Sequence, residues 1–315
     1  GNDSHDVMPE VANHRGFRAE LNDCREGSAR IPPTEQIAKD ANVCGRRNRK
    51  ELSDTLNDAQ NDCFENTHGG QHSPPRCARQ ALGALGLVFM RERTVGHSGL
   101  RIGEIGLGTL TWGRDTDETQ AIGQLKTLLN EGGNLVDTSP AFGAGAAESL
   151  IGTLLSGAFS REDLVLCTKA GFTATGSRSR FGAGRGAIFD SVEASLERMK
   201  TTYIDVLFVA APDPLAPDAE TAQALASLVE NGTARYIGLM GYPAWRAAAL
   251  QQLLAERHLP VLSAIETEYS LLARDCEEEI VPMAAHMGLG IFAASPLGRG
   301  VLTGKYRRTI PPTSR

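Results

Sequence analysis

Two charged residues that close neighbouring apolar runs carry the best prospect of chemistry. Asp137 ends Asn134-Leu-Val136, and Lys169 ends Leu164-Val-Leu-Cys-Thr168. An acid that stops a buried strand lies at the carboxyl edge of a sheet, where α/β folds place ligands. A carboxylate and an ammonium there are either part of an active site or a buried ion pair that keeps that edge charge-balanced. Removing one partner of a buried pair is costly without any catalysis, so residue type leaves both readings open. Just after Asp137, Gly143-Ala-Gly-Ala-Ala-Glu148 comes near the dinucleotide fingerprint G-x-G-x-x-G. Its third glycine is missing, it follows the second strand rather than the first, and Lys169 stands where the fingerprint needs an acid. Cys63-x4-His68-x3-His72-x4-Cys77 holds zinc-ligand residue types but has neither a Cys-x2-Cys pair nor a helical period to gather them, so no metal site is expected.

The elements that position Asp137 and Lys169 alternate regularly after Met90. Apolar strand runs are expected at 105–109, 135–138, 164–168, 204–209, 236–240, 261–266 and 291–294, with helical spacing at 119–130, 147–156, 187–200, 219–230, 244–257 and 276–287. A strand-plus-helix repeat of about 30 residues is the length of a βα unit with short connections. Runs such as Val206-Leu-Phe-Val-Ala-Ala211 suit parallel strands buried on both faces. Arg93 to Val95 and Leu100 to Ile102, joined through Gly96-His-Ser-Gly99, read as a small hairpin ahead of the repeats. Periodicity permits either an open doubly wound sheet or a (β/α)8 barrel.

Residues 1–89 are rich in Asn, Asp, Arg and Glu, with Phe17 and Phe64 as their only aromatics. Such a composition buries too little to offset its ordering entropy. The segment is expected to be a disordered extension or to lie upstream of a natural start at Met90; either way residues 90–315 form the folded domain. The chain's net charge of −6 and the lack of a basic stripe argue against nucleic-acid partners. The longest apolar run, Ala81 to Met90, is about half of a bilayer span and lies far from the amino terminus, so membrane insertion and secretion are not expected. A soluble, cytoplasmic protein is the expectation.

From Arg91 onward the chain resembles the aldo-keto reductase family. The resemblance is carried in order by Gly106-Leu-Gly-Thr-Leu-Thr-Trp-Gly113, Val136-Asp-Thr-Ser-Pro-Ala-Phe-Gly-Ala-Gly-Ala-Ala-Glu148, Leu164-Val-Leu-Cys-Thr-Lys169, Tyr203 through Pro212, Glu268-Tyr-Ser-Leu-Leu272 and Ser295-Pro-Leu-Gly-Arg-Gly-Val-Leu-Thr-Gly-Lys-Tyr306. It implies a (β/α)8 TIM barrel whose bottom is closed by the amino-terminal hairpin. The family's carboxyl-terminal helices and eighth strand are expected to be missing, because the sequence stops at Arg315. Such a barrel would leave its first and seventh strands with unpaired edges, making it marginal, partner-dependent or aggregation-prone.

The resemblance further implies NADPH-dependent reduction of a small carbonyl compound, with Asp, Tyr, Lys and His at the mouth. Hydride goes from nicotinamide to the carbonyl carbon while the phenol, tuned by the lysine, protonates the oxygen. Asp137 and Lys169 match two of the four; Phe142 stands at the tyrosine position and Ala210 at the histidine position. Cofactor contacts are expected at Gly108, Thr109, Glu266, Ser295, Leu297, Gly300 and Lys305, and a substrate contact at Trp112. Met240-Gly241, Glu266 and Ala294 replace the family's Ser-Asn, Gln and stacking aromatic. Tyr242, Tyr269 and Glu266 are the nearby side chains able to substitute as an acid. Impaired activity is expected, with a non-catalytic binding protein or a truncated product without function as the alternatives.

Overall fold

The structure is a computed structural model that describes residues 90–175 and 178–307. Residues 1–89, including Cys63 to Cys77, lie outside the described residues. The amino-terminal hairpin is present: β1 (Glu92–Thr94) pairs antiparallel with β2 (Arg101–Gly103), with Arg93 opposite Ile102. The repeats then supply β3 (Leu107–Gly108), β4 (Leu135–Asp137), β5 (Val165–Ala170), β8 (Ile204–Val209), β9 (Ala234–Met240), β10 (Ala264–Glu268) and β11 (Gly290–Ala294). These seven strands form one parallel sheet in chain order. An open doubly wound sheet would reverse direction at a switch point. Sequential order with no switch point belongs to a barrel wall, as the family resemblance implies. Among the described residues β3 and β11 each have a single strand partner.

Helices α1 (Glu118–Asn130), α2 (Ala146–Leu155), α3 (Arg185–Met199), α4 (Asp218–Glu230), α5 (Ala244–Glu256) and α6 (Ile280–Met287) connect the strands. Their starts follow from local chemistry. Asp117 caps α1, its carboxylate accepting from the Gln120 backbone N–H at 2.8 Å while the Gln120 amide oxygen accepts from the Asp117 N–H at 3.1 Å. Pro217 and Pro243, extended and unable to continue a helix backwards, precede α4 and α5. The expected helix over 276–287 is split into a 3-10 turn at Asp275–Glu277 and α6 from Ile280. Pro282 explains the split: it has no N–H to donate, a lack tolerated in the first turn of α6 but not in the interior of a longer helix.

Strand alternation divides the apolar residues into two layers. Outward-facing Val136, Leu166, Leu207, Val209, Ile237, Leu239 and Ile265 pack with the helices in the larger cluster. Inward-facing Leu135, Val165, Cys167, Val206, Phe208 and Ala264 form a second cluster that Val95 joins, with Leu100 and Ile102 packed against it. The hairpin therefore plugs the barrel at the end away from the strands' carboxyl termini. All residues of β5 and β8 are buried, since both faces are covered. A second hairpin, β6 (Phe172–Thr175) with β7 (Arg178–Phe181), follows β5 directly and was not expected from the sequence.

Candidate active site

The parallel register brings the carboxyl ends of the strands together. Asp137 stands opposite Gly108 on one side and Cys167 on the other, and Lys169 stands opposite Phe208. Alternation then turns Asp137 and Lys169 to the same inner face. The Lys169 ammonium donates to Asp137 Oδ1 and lies 3.0 Å from Glu266 Oε2, across the barrel on β10. Lys169 is only 2% exposed and Glu266 only 5%, whereas the Asp137 side chain is 24% exposed. The three form a buried cluster with one carboxylate in excess, reached from the mouth past Asp137.

Electrostatics within the cluster follow from that excess. Burial works against the Lys169 ammonium, but the carboxylates of Asp137 and Glu266 outweigh it and hold the group above the ordinary lysine range. Burial, reinforced by the Asp137 charge, pushes the Glu266 carboxyl up to about 7 against the pull of Lys169. The contact between Glu266 and Lys169 is an ion pair without a hydrogen-bonding direction, so Glu266 Oε2 is buried without a hydrogen-bond partner. Cys167, between the charged residues and fully buried, has its thiol pushed well above the usual range by desolvation. It is a packing residue here. The Lys169 ammonium also faces the Phe208 ring at 5.4 Å, and Phe208 meets Phe292 edge-on at 5.2 Å.

Backbone and neighbouring helices hold the cluster in place. Thr109 donates its N–H and its hydroxyl to the Asp137 carbonyl, each at 3.0 Å. The residue is wholly buried, so the contact expected with a cofactor gives way to support of Asp137. Gly108 beside it opens onto free space, where an added Cβ would meet nothing within 4 Å. Next to Lys169, the Thr168 hydroxyl donates to Glu148 Oε1 at 2.6 Å, and Glu148 pairs with Arg198 of α3 at 2.7 Å. Glu148 is fully buried at the start of α2. Its charge thereby ties two helices to the strand that carries the lysine, a role that its place at the end of the glycine-rich stretch does not announce.

Other expected site residues fall elsewhere. Trp112 is 0% exposed, packs with Leu125, Val136 and Ile151 in the outer layer, and donates its Nε1–H to Gln124 Oε1 at 2.8 Å. The expectation that it lines a substrate pocket is corrected, because an indole inside the helix layer has no face toward the mouth. Phe142, in the 3-10 turn Phe142–Gly145, is half-buried against the same outer cluster. Ala210 continues β8, its N–H donating to the Ala170 carbonyl at 3.1 Å.

Of the three substitute acids, Tyr242 is buried in the outer layer under Arg246, and Tyr269 donates its hydroxyl to Glu277 at 2.8 Å. Glu266 alone joins the charged cluster. After β11, Ser295, Gly298, Arg299 and Gly300 all take left-handed backbone conformations, and the Lys305 side chain lies against Gly300. Such a turn with a cation beside it suits an anion. Ser295, Leu297 and Lys305 are exposed there, and Gly300 is half-buried.

Among the described residues no group of His, Cys, Asp and Glu could hold a metal ion, and no helix is long and apolar enough to cross a membrane. Comparison with known proteins agrees with the geometry. The model of the Aldo/keto reductase family matches residues 104–315. Aldo-keto reductase YhdN of Bacillus subtilis (strain 168) is 33% identical over 221 residues, which cover 69% of this chain and 65% of that protein. The chain thus spans less than two thirds of the length of that relative. With a sequential parallel barrel wall, a buried Asp137–Lys169 pair at its carboxyl end and the family match over 104–315, the chain belongs to the aldo/keto reductase family.

Proposed function

We propose that the protein reduces small aldehydes or ketones with NADPH, at a rate lowered by the loss of the phenol and the imidazole at positions 142 and 210. The observation that carries this reading is the Lys169 ammonium, buried at the carboxyl edge of the sheet and held by Asp137. The residues fit the cofactor at its phosphate end. The left-handed turn at 295–300 with Lys305 beside it offers backbone N–H groups and a cation to an anion, and Gly108 leaves room beside Asp137. Ser295, Leu297, Gly300, Lys305 and Gly108 would hold it, with Glu266 facing its reacting end. When bound, a nicotinamide supplies the hydride. The chain's own part is to orient a carbonyl over the Asp137–Lys169–Glu266 cluster and to shield it from bulk water.

The test is NADPH oxidation with a panel of small aldehydes, followed by nicotinamide absorbance in the wild-type protein and in Lys169→Met. Slow turnover that the substitution abolishes is expected. Equal rates in the two proteins would remove the reading. A second reading, a nucleotide-binding relative without catalysis, draws on Phe142 and Ala210, neither of which has a proton to give or a hydrogen bond to offer a carbonyl oxygen. It predicts saturable NADPH binding with no turnover of any aldehyde.

A further inference from the structure

Resting on the reductase reading, we propose that Glu266 is the proton donor of this barrel mouth, a carboxylic acid acting where no tyrosine phenol is present. Elimination supports it first. Tyr242 points into the helix layer and Tyr269 has donated its hydroxyl to Glu277. Lys169 is a poor acid, because two carboxylates stabilise its charged form.

Geometry supports it second. Glu266 Oε2 is buried and has no hydrogen-bond partner, although buried carboxyl oxygens are normally satisfied. Its ion-pair partner is Lys169 Nζ at 3.0 Å, a contact that weakens when the carboxyl takes up a proton and leaves that proton for an acceptor atom brought in by a ligand. The groups facing it are Asp137 from β4 and Lys169 and Cys167 from β5, with uncharged Met240 and Phe292 beside it on β9 and β11 and Phe208 on β8 across the lysine. With the thiol neutral, the cluster carries one negative charge when Glu266 is ionised and none when it is protonated. A carboxyl that exchanges its proton near neutrality is matched to the operating pH of a general acid.

The step balances. The Glu266 O–H bond breaks and an O–H bond forms on the carbonyl oxygen. The carbonyl carbon receives a hydride from a reduced nicotinamide, which is thereby oxidised, and the carbonyl compound is reduced to an alcohol. Glu266 is left as a carboxylate and regains its proton from water.

Two measurements test the proposal. The first is carboxyl-carbon NMR of the cofactor-free protein labelled at glutamate, with the Glu266 signal assigned by its loss in Glu266→Gln. Titration of that signal near pH 7 is expected, and titration in the ordinary glutamate range would overturn the proposal whether or not the variant is stable. The second is single-turnover reduction of 4-nitrobenzaldehyde by bound NADPH across pH 5.5–8.5. The wild-type rate is expected to fall as pH rises through about 7. Glu266→Gln is expected to lose about 10²- to 10⁴-fold in rate and its alkaline limb, with NADPH affinity within a few-fold of wild type. Glu266→Asp is expected to recover part of the rate. A Glu266→Gln rate within threefold of wild type would overturn this proposal alone, and a large loss of NADPH affinity in that variant would assign Glu266 to holding the cofactor instead. Absence of any wild-type turnover would remove the reductase reading and this proposal together.

Discussion

At the scale of single residues, Glu266 dominates the electrostatics of the mouth, because it adds a buried second carboxylate beside Lys169. Folding raises this carboxyl from an ordinary 4.5 to about 7. A raised value means that the protonated form is favoured by the fold. The associated stability is fully present below about pH 4.5 and is lost as pH rises through about 7, on the order of 3 kcal/mol in all. Urea unfolding between pH 5 and 8 is therefore expected to show falling stability in the wild-type protein and a flatter profile in Glu266→Gln. Equal slopes would contradict the buried cluster. Phe142→Tyr makes a second test. A phenol at position 142, the tyrosine position that the family resemblance implies, is expected to raise aldehyde turnover by about 10²-fold, read by steady-state kcat. An unchanged kcat would mean that a phenol carried on the 3-10 turn Phe142–Gly145 does not act on the carbonyl.

At the scale of elements, α2 and α3 position the lysine strand through one buried charge. Glu148→Ala removes the partner of Arg198 and of the Thr168 hydroxyl. It is expected to cost about 3 kcal/mol in denaturant unfolding, whereas a cost under 0.5 kcal/mol would show the pair to be incidental. Gly152 lies where the two helices touch, and an added Cβ would collide with the Arg198 carbonyl oxygen. Gly152→Ala is accordingly expected to destabilise by about 1–3 kcal/mol. In the turn after β11, Lys305→Ala is expected to weaken NADPH about tenfold, or about 1.4 kcal/mol, by fluorescence titration.

The elements themselves were largely legible in the sequence. β8 was expected over 204–209 and found at Ile204–Val209, because a strand buried on both faces leaves an unbroken apolar run. The hairpin β6–β7 was missed although Gly176-Ser177 between two short runs is a hairpin signal. Polar Thr173, Arg178 and Arg180 hid its alternation. α6 was drawn too long because helical spacing was followed through Pro282.

At the scale of the whole molecule, pattern alone left an open sheet and a barrel equally available; the closing evidence is tertiary. Seven strands in chain order and a hairpin whose Val95, Leu100 and Ile102 pack against the inner layer show which closure the repeats take. The site was legible only in part for the same reason. Asp137 and Lys169 announce themselves by ending apolar runs, but Glu266 joins them from a strand almost 100 residues further on, where no local pattern speaks of the lysine. Trp112 was misread because a residue just past a strand can turn either to the mouth or into the helix layer, and its partner Gln124 on α1 decides between them.

The measurement that bears most directly on the central claim is a titration of the purified protein with NADPH, following nicotinamide fluorescence and the thermal midpoint together. Saturable binding is predicted, with a midpoint that climbs as ligand exceeds the dissociation constant, by about 2.7 kcal/mol of added stability at a hundredfold excess. No fluorescence change and no shift of the midpoint at millimolar NADPH would contradict the account of this barrel mouth as a reductase site.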